Sequence, residues 1–164
     1  MKISELLDKK AVSIDLKSRQ KEDMLAELVD LLIDAGGVKR TEKNDILVKL
    51  RERETLGSTG IGKGVGIPHA KCPKVKKMIA AFGVSKNGLD FKSLDGCPSY
   101  IFFLLIAPGD VPGPHLKALA KISRLLDDKF VRDRLRAAKN SQEILKVIKE
   151  EEQKKTDSAC KPTG

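Results

Sequence analysis

Tyr100-Ile101-Phe102-Phe103-Leu104-Leu105-Ile106-Ala107 is the longest apolar run in the chain, and its length decides the class of fold. A helix needs about 20 apolar residues to cross a hydrocarbon core. Eight residues instead suit a strand buried on both faces. Such a strand needs cover on each side, and the flanking sequence supplies it. Downstream, Pro108-Gly109-Asp110 and Pro112-Gly113-Pro114 form a rigid loop. His115 to Leu126 then reads as a helix with Leu119, Ile122 and Leu126 on one face. Phe130–Ala138 and Ile144–Lys149 add two helical segments, the second begun by Asn140 with Glu143 three residues on. Upstream, Met78 to Ser85 is a second strand, with turn chemistry at Lys86-Asn87-Gly88 and Leu94-Asp95-Gly96 before the apolar run.

The amino-terminal third continues the interleaving. Ala11 to Leu16 alternates apolar and polar residues and reads as a strand. Ser18 is placed to cap a helix carrying Met24, Leu25, Leu28, Leu32 and Ile33 on its inner face, which Gly36-Gly37 stops. Thr41 is placed to cap the next, with Ile46, Leu47 and Leu50 inward, before a glycine-rich loop and a brief extended piece at Val65–Pro68. Alternating helices and strands define an α/β domain, one mixed β-sheet packed between helices. The expected domain covers residues 1–150, and the charged, small-residue stretch 151–164 reads as a disordered polar tail.

Composition narrows the function. A chain of 164 residues has one core. Its 32 basic and 23 acidic residues leave a net charge of +9, which invites acidic partners. Yet the cations are scattered, and one Tyr with no Trp leaves few platforms for base stacking, so no nucleic acid is expected. Three scattered cysteines make no disulfide framework and suit a reducing compartment. Met1–Lys10 alternates charge with Leu and Ile and has no secretory h-region. The expectation is a cytoplasmic protein without membrane insertion.

The chemistry concentrates in Gly57-Ser58-Thr59-Gly60-Ile61-Gly62-Lys63-Gly64-Val65-Gly66-Ile67-Pro68-His69. Five glycines in this stretch allow positive φ and expose backbone N–H groups, which suits cradling an anion. A phosphate-binding loop is therefore expected at Gly60, Gly62, Lys63 and Gly64. Pro68 stiffens the chain before His69, one of two histidines in the chain. A neutral imidazole is a competent nucleophile toward phosphorus near pH 7. Arg53 continues the inner row Ile46–Leu50 at i, i+4, i+7, aiming a guanidinium inward for a fork on phosphate oxygens. His115 opens its helix on the face of Leu119 and Ile122, and so also points inward.

Each of these residues has an ordinary reading too. Histidines mostly serve structure, Arg53 lies within a charge run, and His115 follows a proline that starts helices. Their convergence on two irregular glycine- and proline-rich segments is what points to a site. Gly57-x-x-x-x-Gly62-Lys63 imitates a P-loop, but Gly64 stands where Ser or Thr should hold Mg²⁺, and Pro68 opposes a following helix. His69-x-x-Cys72, with Cys97 and His115 elsewhere, lacks a paired zinc motif, and neither metal nor cofactor is expected. Cys72 and Cys97 read as half-buried small hydrophobes and Cys160 as an exposed thiol.

Glu54, six further residues, then Ile61-Gly62-Lys63-Gly64-Val65-Gly66-Ile67-Pro68-His69-Ala70 resembles the signature of the fructose/mannitol-type enzyme IIA components of the bacterial phosphoenolpyruvate-dependent phosphotransferase system (PTS). One departure is Gly66, where the family usually carries alanine. The resemblance spans roughly residues 1–150 and includes Arg53-Glu54 and the Pro114-His115-Leu116 stretch. The wording Leu56-Gly57-Ser58-Thr59-Gly60-Ile61-Gly62 is most similar to the stand-alone nitrogen-related branch, in keeping with a sequence carrying no IIB or IIC segment. The resemblance implies a three-layer sandwich and a phosphohistidine at His69 stabilised by Arg53 and His115. The implied donor is a small histidine phosphocarrier protein, and the implied acceptor or partner is a IIB domain or a regulatory protein target. Within the same resemblance, a regulatory module that works by contact without obligatory transfer is the alternative.

Overall fold

The computed structural model describes residues 1–109 and 112–159. Six strands form one mixed sheet: β1 (Leu7–Ser13), β2 (Gly60–Gly62), β3 (Val65–Gly66), β4 (His69–Lys71), β5 (Ile79–Leu89) and β6 (Ser99–Ala107). Five helices cover it: α1 (Lys21–Asp34), α2 (Lys43–Thr55), α3 (Pro112–Asp127), α4 (Lys129–Ala137) and α5 (Ser141–Ala159). The strand order is β1-β5-β6-β3-β2, and β4 also pairs with β6. β5 and β6 run antiparallel at the centre, β1 is parallel to β5, and β3 and β4 are both parallel to β6.

The apolar run accounts for the layering. Alternate side chains of a strand face opposite ways, and both faces of β6 are buried. Phe102, Leu104 and Ile106 pack with α1 and α2 residues such as Leu28, Leu32, Ile46 and Leu50. Ile101, Phe103 and Leu105 pack with Ile122, Leu126, Leu135, Ile144 and Ile148 on the other face. Each such side chain contributes about 1.5–3 kcal/mol on leaving water. The two cores are therefore assigned by residue parity along one strand, and the expected sheet between helices is the fold observed.

Local boundaries differ from the sequence reading where side chains found stronger partners. Ser18 does not cap α1, whose N-cap is Gln20. The Ser18 N–H and hydroxyl instead donate to Glu27 at 2.8 and 2.6 Å. Thr41 lies in a short 3-10 turn, Arg40–Glu42, ahead of α2 rather than at its cap. Lys86-Asn87-Gly88 does not end β5, which continues to Leu89 with Gly88 at φ +72° and a register shift after Val84. Asn140 does open α5, its Oδ1 accepting the Glu143 N–H at 2.9 Å.

The largest departure is at the carboxyl end. α5 runs through Ala159, so the tail expected to be disordered from residue 151 starts as helix. Glu, Gln and Lys are good helix formers, and here the charges of Glu and Lys are used. Glu151 is buried and accepts from Arg134 and Lys154, each at 3.1 Å. The Glu152 carboxylate takes the N–H groups of Ile3 and Ser4, tying α5 to the amino-terminal turn. Cys160 and the rest of the expected tail, residues 160–164, lie outside the described residues. Among the described residues no helix is long and apolar enough to cross a membrane.

Candidate functional site

Three elements converge on His69. α2 buries Ile46, Leu47 and Leu50, which turns the next residue of that row, Arg53, toward the sheet from the helix's last turn. β4 begins at His69, in register with Leu105 of β6. The Leu105 N–H donates to the Pro68 carbonyl at 3.0 Å and so fixes the backbone just before the histidine. α3 carries His115 in its first turn, 5% exposed.

The His69 ring is held from both sides. Nδ1 lies 2.8 Å from the Ile67 carbonyl, an acceptor only, so this nitrogen carries the proton. Nε2 therefore bears the lone pair, and it accepts from Arg53 Nε–H at 3.2 Å. Arg53 is braced by a second bond, Nη1 to the Gly57 carbonyl at 2.9 Å. The two imidazole centroids are 5.5 Å apart with the planes inclined by 56°. Burial, reinforced by the Arg53 charge, holds the His69 pKa below the ordinary histidine value, against an opposing hydrogen bond to Ile67 and the charge of Glu54. His115 is depressed further, to about 4, first by burial and then by the charges of His69 and Lys71. Both rings are neutral at pH 7. His115 Nδ1 is buried without a hydrogen-bond partner among the described residues.

An imidazole lone pair beside a guanidinium and a second, neutral imidazole can attack phosphorus and hold the anion produced. All three side chains singled out from the sequence, His69, Arg53 and His115, meet here. The glycine-rich segment does not join them as expected. Gly60–Gly62 and Val65–Gly66 form a β-hairpin rather than a loop. Its anion is a carboxylate of the protein itself: Asp95 Oδ2 accepts the Lys63 N–H and Oδ1 the Cys97 N–H, each at 3.0 Å. The Gly60 N–H is taken by Ser58 Oγ at 3.0 Å, and Lys63 Nζ pairs with Asp127. Gly62, Lys63 and Gly64 have positive φ, so the glycines serve the tight turn around Asp95.

Gly66 has a packing role. A Cβ there would lie 3.0 Å from the Phe102 ring and 3.2 Å from Phe91, which pair edge to face at 5.1 Å. Cys72 is fully buried in the α1/α2 core, whereas Cys97 is exposed. Among the described residues no group of three or more His, Cys, Asp and Glu could hold a metal ion.

Sequence reasoning missed Lys21 and the carbonyls of Ile67 and Gly57. The carbonyls leave no trace in a sequence, since every residue carries one. Lys21 did leave a signal, a cation in the first turn of a helix, where the dipole disfavours positive charge.

Known structures share this architecture. Nitrogen regulatory protein IIA-Ntr from Neisseria meningitidis superimposes with a TM-score of 0.81 at 30% identity, over 89% of this chain and 98% of that one. The mannitol IIA of Escherichia coli matches in fold, with a TM-score of 0.73 at 20% identity over 87% of this chain and 98% of that one. The fold thus places the molecule among the IIA domains. In sequence, residues 5–151 match the family described as phosphoenolpyruvate-dependent sugar phosphotransferase system, EIIA 2. The chain belongs to that family.

A nitrogen regulatory protein of Bradyrhizobium diazoefficiens is 38% identical over 148 residues, 90% of this chain and 95% of that protein. The fructose-specific EIIABC component of Bacillus subtilis is also 38% identical over 148 residues, again 90% of this chain, which spans only 23% of that relative. The protein is a component of the phosphotransferase system, with relatives in both its regulatory and its sugar-specific branches.

Proposed function

We propose that the protein is a histidine phosphocarrier that takes a phosphoryl group on Nε2 of His69 and passes it on in a regulatory role. The carrying observation is the clamp on the ring. Ile67 holds the proton on Nδ1, leaving Nε2 to attack while Arg53 stands against it.

In the transfer, the Nε2 lone pair bonds to phosphorus as the P–N bond to the imidazole of a phosphocarrier protein breaks, and that imidazole leaves with the bonding pair. The proton stays on Nδ1, which donates it to the Ile67 carbonyl, so the positive charge on the ring is met by the phosphoryl anion. Arg53 and His115 are the candidate donors to the phosphoryl oxygens. Because His115 is neutral, it gives a ring N–H without adding full charge that would trap the group. Onward transfer reverses these events toward a IIB domain or a regulatory target.

The regulatory role draws on relatives matched along nearly their whole length, such as the Bradyrhizobium protein. Phosphorylation adds about two negative charges to this surface, enough to switch a docking interface. The setting is the cytoplasm, where phosphoenolpyruvate and the carrier are found.

Incubation with phosphoenolpyruvate, enzyme I and a phosphocarrier protein, or with phosphoramidate as a carrier-independent donor, should add about 80 Da, one phosphoryl group on nitrogen. The adduct should be acid-labile and absent from His69→Ala. An adduct that persists in that variant overturns the assignment.

A further inference from the structure

Lys21 is unusual for a lysine. Its side chain is 19% exposed, and its ammonium lies 2.5 Å from Glu54 Oε2, on a side chain only 10% exposed. The ammonium also donates to Ser58 Oγ at 3.3 Å and to the Phe91 carbonyl at 3.1 Å, and it sits 4.5 Å from the Phe91 ring centroid. Three partners use all three donors of an ammonium. Glu54 is equally occupied: Oε2 accepts the Thr59 N–H at 3.2 Å, and Oε1 accepts the Thr59 hydroxyl.

Stability does not account for this hub, because desolvating two charges offsets most of their attraction. Its position does. Glu54 is the residue after Arg53 in the last turn of α2, and its charge reaches His69. A Glu54 carboxylate deprived of Lys21 would have Arg53 as a neighbouring cation, and Arg53 is the group that meets His69 Nε2 at 3.2 Å. We infer that Lys21 is a positioning residue: by holding the Glu54 carboxylate and the Ser58–Thr59 backbone beside it, Lys21 keeps Arg53 free to serve the phosphoryl group. This rests on His69 being the phosphoacceptor.

The charged and titratable groups facing His69 are Arg53 and Glu54 from α2 and His115 from α3, and Lys71 of β4 acts in turn on His115. Phosphorylation rate and the His69 titration midpoint, from ¹⁵N NMR of the imidazole, should be measured in wild type, Lys21→Met, Lys21→Arg and Lys21→Met/Glu54→Gln. Lys21→Met should be slowed about 10-fold, the scale of a modest misplacement of a catalytic group. Its His69 midpoint should rise, because Arg53 is drawn away and Glu54 is no longer neutralised. The double variant should return to within about 3-fold of wild type with its midpoint restored, since no unpaired charge remains. Lys21→Arg should stay close to wild type.

A Lys21→Met as fast as wild type, or a slow one that Glu54→Gln does not rescue, overturns the inference. Should Lys21→Met not fold, the double variant decides alone: a rate within about 3-fold supports the inference, and a loss of about 10-fold overturns it. A wild-type protein that takes no phosphate refutes the acceptor reading instead. The midpoints of His69 across the variants still report whether Lys21 governs Glu54.

Discussion

Two neighbouring pieces of one glycine-rich sequence behave in opposite ways. In the hairpin Gly60–Gly66, the N–H groups of Gly60 and Lys63 are engaged inside the protein, and a carboxylate of the chain, Asp95, fills the turn. A few residues on, the His69 lone pair meets Arg53, and His115 beside it has a buried ring nitrogen with no partner among the described residues. The difference teaches where binding capacity resides. A cradle already filled by the protein is a strut, whereas donors held by packing and left partly unpaired are a site.

The sharpest way to break this contrast is to remove groups on the His69 side. His69→Ala should take no phosphate at all by mass spectrometry. Arg53→Ala should slow phosphorylation by roughly 100-fold, the usual effect of losing one preorganised charge-stabilising donor. A rate within threefold of wild type would return Arg53 to the surface charge run around it.

The pH dependence of the two imidazoles comes next. His115 titrates near 4 when folded, against an ordinary value of 6.5. The unfolded chain therefore binds more protons between these values, and stability falls as pH drops from 6.5 toward 4. The loss attributable to His115 should reach up to ~3 kcal/mol by pH 4. Urea denaturation of His115→Gln should show a shallower decline over that window. Phosphorylation of His69 should move the His115 midpoint upward, because an adjacent anion favours the imidazolium. An NMR titration of the phosphorylated protein reads this directly.

On the hairpin side, effects should be confined to stability. Asp95→Ala should lower Tm by about 3 °C through loss of two turn hydrogen bonds while leaving phosphorylation within about twofold. A large catalytic loss would mean that the hairpin belongs to the site after all. The smallest effect is expected from Gly66→Ala, which restores the family's usual residue. The Phe91 and Phe102 rings must yield a few tenths of an ångström, for about 1 kcal/mol of destabilisation.

Periodicity made much of this legible. The inner rows Met24–Leu32 and Ile46–Leu50, the strand Ser99–Ala107 and the convergence of His69, Arg53 and His115 all rest on spacing, and each stands as read. The failures share one cause. Ser18, the Lys63 N–H and the charged carboxyl-terminal stretch are read by local chemistry, but their partners lie beyond the local turn: Glu27 on the following helix, and Asp95, Arg134 and the amino-terminal turn farther along the chain. A polar group takes the best partner the whole fold offers, and neighbours in sequence are only some of the candidates.

By itself, then, the sequence determined which residues are apolar at helical or strand spacing, hence the layers, and which imidazoles and guanidinium lie on inward rows. Only the tertiary structure decided the tautomer of His69, the carboxylate that fills the glycine turn, and the burial of Lys21 against Glu54. Hydrophobic burial sums over many residues and follows pattern, while a hydrogen bond depends on two atoms whose separation the fold alone sets.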